Sequence, residues 1–279
     1  SLEGMPFQPE MIKFCGREAR VFRSLDKIYD YGRTKRMRRL DGCVLLSNLR
    51  CDGSAHGGCE ATCYLIWKAA WLEPAGAPMI ELASPANDNG AQTLQALSRA
   101  ACDDGSLRCQ FTELHACTSE FARRSPRMDL IPLLSGSYPV DAWLIAMLTR
   151  VFNGLQARRG GAPFPPIPPL GAHESRDPLG LSPGERVSVL PLEEIARTLN
   201  SQSKNRGLWF DREMVKHCGR EYRVLASVKR IVDDATGQMR IMKSPCITLE
   251  SVDSTGEGLY FNAQHDPIFW RESWLRRID

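Results

Sequence analysis

The chain has 279 residues, of which 43% are hydrophobic and 25% charged, and its formal net charge is +3. Such a composition excludes a disordered or polyelectrolyte chain and predicts a globular protein of roughly one to three domains. The charge surplus is too small to argue by itself for nucleic acid or an anionic membrane. Ten cysteines in a chain long enough to bury a core read as free thiols or metal ligands, since disulfide frameworks belong to short secreted proteins.

Residues 1–10 lack a basic region followed by an apolar run, so no signal peptide is read there. The most apolar stretch, residues 140–152, is too short to span a bilayer and contains Asp141 and Arg150. The expected setting is cytoplasmic, with no membrane.

Displaced by 203 residues, segment 7–72 lies over segment 210–275 without a gap, and nineteen of the sixty-six positions are identical. Average residue usage gives about four by chance. The longest block sets Met11-Ile12-Lys13-Phe14-Cys15-Gly16-Arg17-Glu18 against Met214-Val215-Lys216-His217-Cys218-Gly219-Arg220-Glu221. Further on, Trp67, Trp71 and Leu72 answer Trp270, Trp274 and Leu275. A repeat decides how the rest of the chain is divided.

In chain order, residues 5–75 form a first repeat with a cysteine loop, and 76–158 a mixed central segment with an amphipathic helix over 140–156. Residues 159–182 are a Pro/Gly-rich linker, and 183–279 form the second repeat. Within that repeat, 183–189 predicts a strand and 192–199 a short helix with Glu193 and Glu194 near its N-terminus. Residues 221–227 alternate as a half-buried strand, and Asp234-Ala235-Thr236-Gly237 signals a hairpin before strand 238–242. A further strand follows at 247–252 and a closing helical turn at 270–275. The predicted fold is α+β, mainly β: two tandem SH3-like small barrels related by internal duplication, with a partly helical central segment.

The duplication acts as an internal control on the cysteines. Cys15/Cys218 and Cys43/Cys246 recur in both copies and read as small buried hydrophobes. Cys51, Cys59 and Cys63 face Ser254, Asn262 and Asp266, so the repeat can be built without thiols there, and three of them point to an added task. Their run, Arg50-Cys51-Asp52-Gly53-Ser54-Ala55-His56-Gly57-Gly58-Cys59, is rich in small residues that let a loop wrap closely round a central object. A fourth ligand is expected among Cys102, Cys109 and Cys117. Cys109 is preferred, because its neighbours Arg108, Gln110, Thr112 and Glu113 can support a ligand shell. The C-x7-C-x3-C spacing with one remote cysteine makes a poor zinc ribbon and suits an iron–sulfur cluster, 4Fe-4S in type, with zinc as the alternative.

The runs Arg50–Cys59, Arg108-Cys109-Gln110 with Thr112-Glu113-Leu114, and Asn205-Arg206-Gly207-Leu208-Trp209-Phe210-Asp211 with Cys218-Gly219-Arg220 together resemble a little-characterised bacterial family of cysteine-motif proteins. Members are often linked with polysaccharide or natural-product gene sets. The resemblance covers most of the chain and implies a metal-binding protein, without bringing a reaction. In that family the second copy tends to carry its own cysteines; here Ser254, Asn262 and Asp266 stand in their place.

Two functions fit these features. One is an iron–sulfur enzyme of small-molecule or polysaccharide biosynthesis, with the cluster as Lewis acid or redox centre and His56, Glu113 and Thr112 as acid–base groups. The other is a non-enzymatic, zinc-stabilised SH3/KOW-like module that binds RNA or a protein partner. The basic run Arg33-Thr34-Lys35-Arg36-Met37-Arg38-Arg39 would serve the second, or simply be a solvated hairpin. No phosphate-binding loop, dinucleotide fingerprint or serine nucleophile elbow is present in the sequence.

Overall fold

The computed structural model describes residues 1–75, 102–121, 127–168 and 178–278. Parts of the predicted central segment (76–101 and 122–126) and of the predicted linker (169–177) lie outside the described residues. The architecture is α+β and mainly β, in two compact units. One gathers Ser1–Ser137 with Arg230–Ile241 and Asn262–Gln264; the other holds Tyr138–Lys229, Met242–Phe261 and His265–Asp279. This division differs from a single cut within 159–182.

In the first unit a 3-10 helix, Pro9–Phe14, precedes β1 (Val21–Ser24), β2 (Lys27–Asp30), β3 (Arg36–Arg39), β4 (Cys43–Arg50) and β5 (Tyr64–Lys68). A 3-10 turn (Ala69–Trp71), β6 (Ser119–Glu120) and helix α1 (Arg127–Leu134) follow. The strands form two antiparallel sheets, ordered β1-β4-β5 and β2-β3-β6. The core is built on Leu25, Ile28, Leu40, Leu45 and Ile66. The basic run lies on the β2–β3 hairpin, and Arg38 turns inward to donate to Thr118 Oγ1 (2.6 Å) and O (2.7 Å).

The second unit begins with helix α2 (Val140–Arg159) and continues with β7 (Arg186–Val189), helix α3 (Leu192–Ala196) and the small strands β8 (Lys204–Asn205) and β9 (Leu208–Trp209). After a 3-10 helix, Arg212–His217, come β10 (Glu221–Val232), β11 (Met239–Leu249), a 3-10 turn Glu272–Trp274 and β12 (Leu275–Arg277); the hairpin end of β10 and β11, Arg230–Ile241, belongs to the first unit. The sheet order is β11-β10-β7-β12. Val224 of β10 packs into a core with Phe210, Ile247, Trp270 and Trp274. The expected hairpin turn is tied by Asp233, whose Oδ1 accepts the N–H groups of Ala235 and Thr236 (both 3.1 Å). The separate strands expected at 238–242 and 247–252 are one strand, β11, which passes through Pro245 and ends at Leu249.

Among the described residues the sheets are runs of three, three, four and two strands, and no helix is long and apolar enough to cross a membrane. Several contacts recur at an offset of 203. The Phe7–Trp71 and Phe210–Trp274 rings both meet edge-on at 5.3 Å. The bonds Ser47 N to Arg20 O and Glu250 N to Arg223 O are both 2.9 Å, and Cys51 N to Cys63 O and Ser254 N to Asp266 O are both 2.8 Å. One difference has a local cause. Where β10 and β11 are each continuous, the first unit breaks into β1/β2 and β3/β4, with Gly42 at φ +61° near the bend. Its counterpart is Pro245, whose ring forbids that conformation.

Candidate metal centre

β4 and β5 are joined by the cysteine loop, which closes on itself where Cys51 N donates to Cys63 O at 2.8 Å, beyond the Arg50–Tyr64 pair of the ladder. Inside the loop, the N–H groups of His56 and Gly58 both donate to Gly53 O (2.9 and 3.0 Å), and Cys59 N donates to His56 O (3.1 Å). Gly53 sits at φ +69°, and a Cβ there would overlap the Cys59 carbonyl oxygen. Only glycine fits. Asp52 accepts from Ser54 N (3.0 Å) and Oγ (2.6 Å) in an Asx turn and pairs with Lys13.

Two other segments complete the walls. Gln110, fully buried, acts as a surrogate strand neighbour of β5: its Oε1 accepts Ile66 N (2.8 Å) and its Nε2 donates to Ile66 O (2.7 Å). That bridge carries the adjacent Cys109 to the loop. From the far end of β10, Val232 N donates to Cys59 Sγ at 3.4 Å, and Glu60 N donates to Arg230 O at 3.0 Å. The result is one small cavity, about 30 Å³, lined among others by Cys51, Cys59, Cys63, Cys109 and His56.

His56, in a loop of small residues, is only 1% exposed. Its Nε2 lies 3.0 Å from Arg108 O. Its Nδ1 lies 2.6 Å from Glu10 Oε1 and 3.9 Å from Cys51 Sγ. Glu10 is the residue that the sequence reading missed. It is buried, its Oε1 also accepts Ala55 N at 3.0 Å, and its Oε2 is buried without a hydrogen-bond partner. Burial works to raise the Glu10 pKa, but the hydrogen bonds from His56 and the backbone prevail and hold it below the usual carboxylate value. Burial, with the Glu10 charge adding to it, pushes the Cys51 thiol up to about 12, and burial pushes Cys109 to about 11. Both are protonated thiols in the metal-free protein, so a metal would enter by displacing protons.

Glu10, Cys51 and His56 offer ligand atoms that all lie within 4.8 Å of one another, a group able to hold a metal ion. Among the described residues, no three of the four cavity sulfurs come that close together. The other predicted site residues stand apart from the cavity. Thr112 Oγ1 is engaged with the Cys109 backbone, accepting from N (2.9 Å) and donating to O (3.0 Å). Glu113 pairs with Arg108 at 3.2 Å. Cys102 belongs to a turn with Ser106 and Gly105, and Cys117 Sγ donates to Leu114 O at 3.4 Å.

The counterpart of Glu10 shows what its carboxylate lacks. Glu213, at the same place in the second copy, is fully occupied: Ser254 Oγ donates to Oε2 (2.8 Å), and Thr255 donates to Oε1 through both Oγ1 (2.7 Å) and N. Ser254 and Thr255 replace Cys51 and Asp52. With the hydroxyls gone, Glu10 Oε2 is left buried without a donor. The identity of Glu10 and Glu213 was visible in the repeat, but an acid in the first turn of a helix has an ordinary reading as a dipole partner. No family model, curated protein or solved structure matches the chain.

Proposed function

We propose that the chain is an iron–sulfur protein, with a 4Fe-4S cluster held by Cys51, Cys59, Cys63 and Cys109, acting as an enzyme of bacterial small-molecule or polysaccharide biosynthesis. The observation that carries this reading is the spread of four thiols around one cavity. Zn–S bonds of about 2.3 Å would put the sulfurs of a tetrahedral zinc site about 3.8 Å apart. The four sulfurs here are wider than that as a set, which suits a cluster whose irons separate its ligands. When bound, such a cluster supplies a Lewis-acid or redox centre. The chain's own part is to donate N–H groups to sulfur, from Gly53 to Cys51 and from Val232 to Cys59 (both 3.4 Å). His56 is the acid–base candidate that lines the cavity, whereas Thr112 and Glu113 do not. The contacts that recur at offset 203 support reading the two repeats as duplicated SH3-like units, and the cysteine-motif resemblance supports the biosynthetic setting.

A second reading rests on the Glu10–Cys51–His56 group. Its mixed oxygen, sulfur and nitrogen donors suit a single zinc ion, as in a metal-stabilised, non-enzymatic binding module. Metal and sulfide analysis of anaerobically purified protein separates the two. Brown protein with iron and acid-labile sulfide supports the cluster; colourless protein with one zinc supports the alternative. Cys63→Ala and Cys109→Ala should remove the cluster, while Glu10→Gln should remove zinc. Protein without metal under either condition refutes both.

A further inference from the structure

Helix α2 is covered on one side and bare on the other. Trp143, Ala146 and Met147 are half-buried, and the Arg150 guanidinium lies over the Tyr260 ring at 4.5 Å. The opposite side shows Leu144, Ile145, Leu148, Val151, Phe152 and Leu155, each 44–63% exposed. A continuous apolar stripe along a helix of 20 residues, about 30 Å long, marks an interaction surface.

The spacing of the stripe says what it fits. Leu144, Leu148, Val151 and Leu155 step by four, three and four residues, the d, a, d, a order of a coiled-coil seam. Ile145 and Phe152 widen it on one flank. The same lettering places Asp141 at a and Arg158 at d, one layer beyond each end.

We propose that α2 pairs antiparallel with α2 of a second copy of this chain. Antiparallel seams stack an a layer on a d layer, so Leu148 faces Val151 of the other copy and Leu144 faces Leu155. The next layer outward sets Asp141 against Arg158, at both ends at once. The face is therefore self-complementary about a two-fold axis, without a register shift. A parallel pair would stack Asp141 on Asp141 and Arg158 on Arg158, and would also align the two helix dipoles. A lipid surface fits less well, because the helix has an acid at one end, no lysine, and its one central arginine turned to Tyr260.

The test is sedimentation velocity with light scattering on the full chain over micromolar concentrations. The wild type should be a dimer. Leu148→Glu, at a position 61% exposed, should weaken dimerisation at least tenfold while circular dichroism and melting stay unchanged. Asp141→Arg should weaken it by a similar factor, and the charge-swapped pair Asp141→Arg/Arg158→Asp should restore it. A wild type that is monomeric throughout overturns the proposal, whether the stripe then binds phosphatidylserine vesicles or is covered by another segment of the chain. A dimer indifferent to Leu148→Glu overturns it too, and a swap no tighter than Asp141→Arg overturns the antiparallel register.

Discussion

Replacing Trp274 by alanine tests whether the two tryptophans at the same place in the repeat carry equal weight. Both meet a phenylalanine edge-on at 5.3 Å, but Trp274 is fully buried in the core, whereas Trp71 is half-buried at a core margin. The Trp274 indole N–H also donates to Thr198 Oγ1 at 2.9 Å. Truncating a fully buried tryptophan costs about 3–5 kcal/mol; the lost hydrogen bond places Trp274→Ala toward the upper end, about 4–5 kcal/mol. Trp71→Ala, which opens a space already reached by solvent, should cost about 2 kcal/mol. Trp274→Phe keeps the ring contact and loses the N–H bond. Because the Thr198 hydroxyl still donates to Ile195 O at 2.8 Å, this change should cost only about 1–2 kcal/mol. In urea, with a slope of about 2–3 kcal/mol/M, Trp274→Ala should lower the midpoint by about 1.3–2.5 M. Equal losses for Trp71→Ala and Trp274→Ala, or a Trp274→Ala loss below about 1 kcal/mol, would refute the packing argument.

Other outcomes follow from the site and from the buried groups. Gly53→Ala should abolish metal uptake without removing a ligand, because its Cβ meets the Cys59 carbonyl; Gly16→Ala, with open space around it, should lose only about 1 kcal/mol of stability to its positive φ, and uptake serves as the readout for both. Cys43→Ala and Cys246→Ala should keep full metal by elemental analysis, since both thiols are buried away from the cavity lining. His217, whose counterpart is Phe14, is held neutral: burial first, then Lys216, lower its pKa from 6.5 to about 4. The unfolded chain therefore binds the extra proton, so the contribution is full above pH 6.5 and is lost as pH falls toward 4. His217→Phe should remove about 2–3 kcal/mol of acid-side destabilisation between pH 7 and 4, read from denaturation midpoints. An unchanged acid-side slope would mean that His217 is charged within the fold.

What could be read locally was read. The helix expected over 140–156 announces itself by its apolar period; it runs Val140–Arg159, from Pro139 before it to Gly160, at φ +70°, after it. The hairpin is signalled by Asp234-Ala235-Thr236-Gly237, with Gly237 at positive φ, while its tie through Asp233 came only with the structure. The loop cysteines stood out because the second copy provides a control for what the backbone needs. Contacts between distant segments were not legible. Cys109 reaches the cavity, while Cys102 and Cys117 do not, because Gln110 bonds to Ile66 forty-four residues earlier in the chain. The burial of His56, the exclusion of Thr112 and Glu113 from the cavity, and the unpartnered oxygen of Glu10 likewise depend on which side chains meet across the fold. Composition and spacing set which candidate donors are available; only tertiary packing, by deciding which donors water can reach and which must face one another, brought some of them to one cavity.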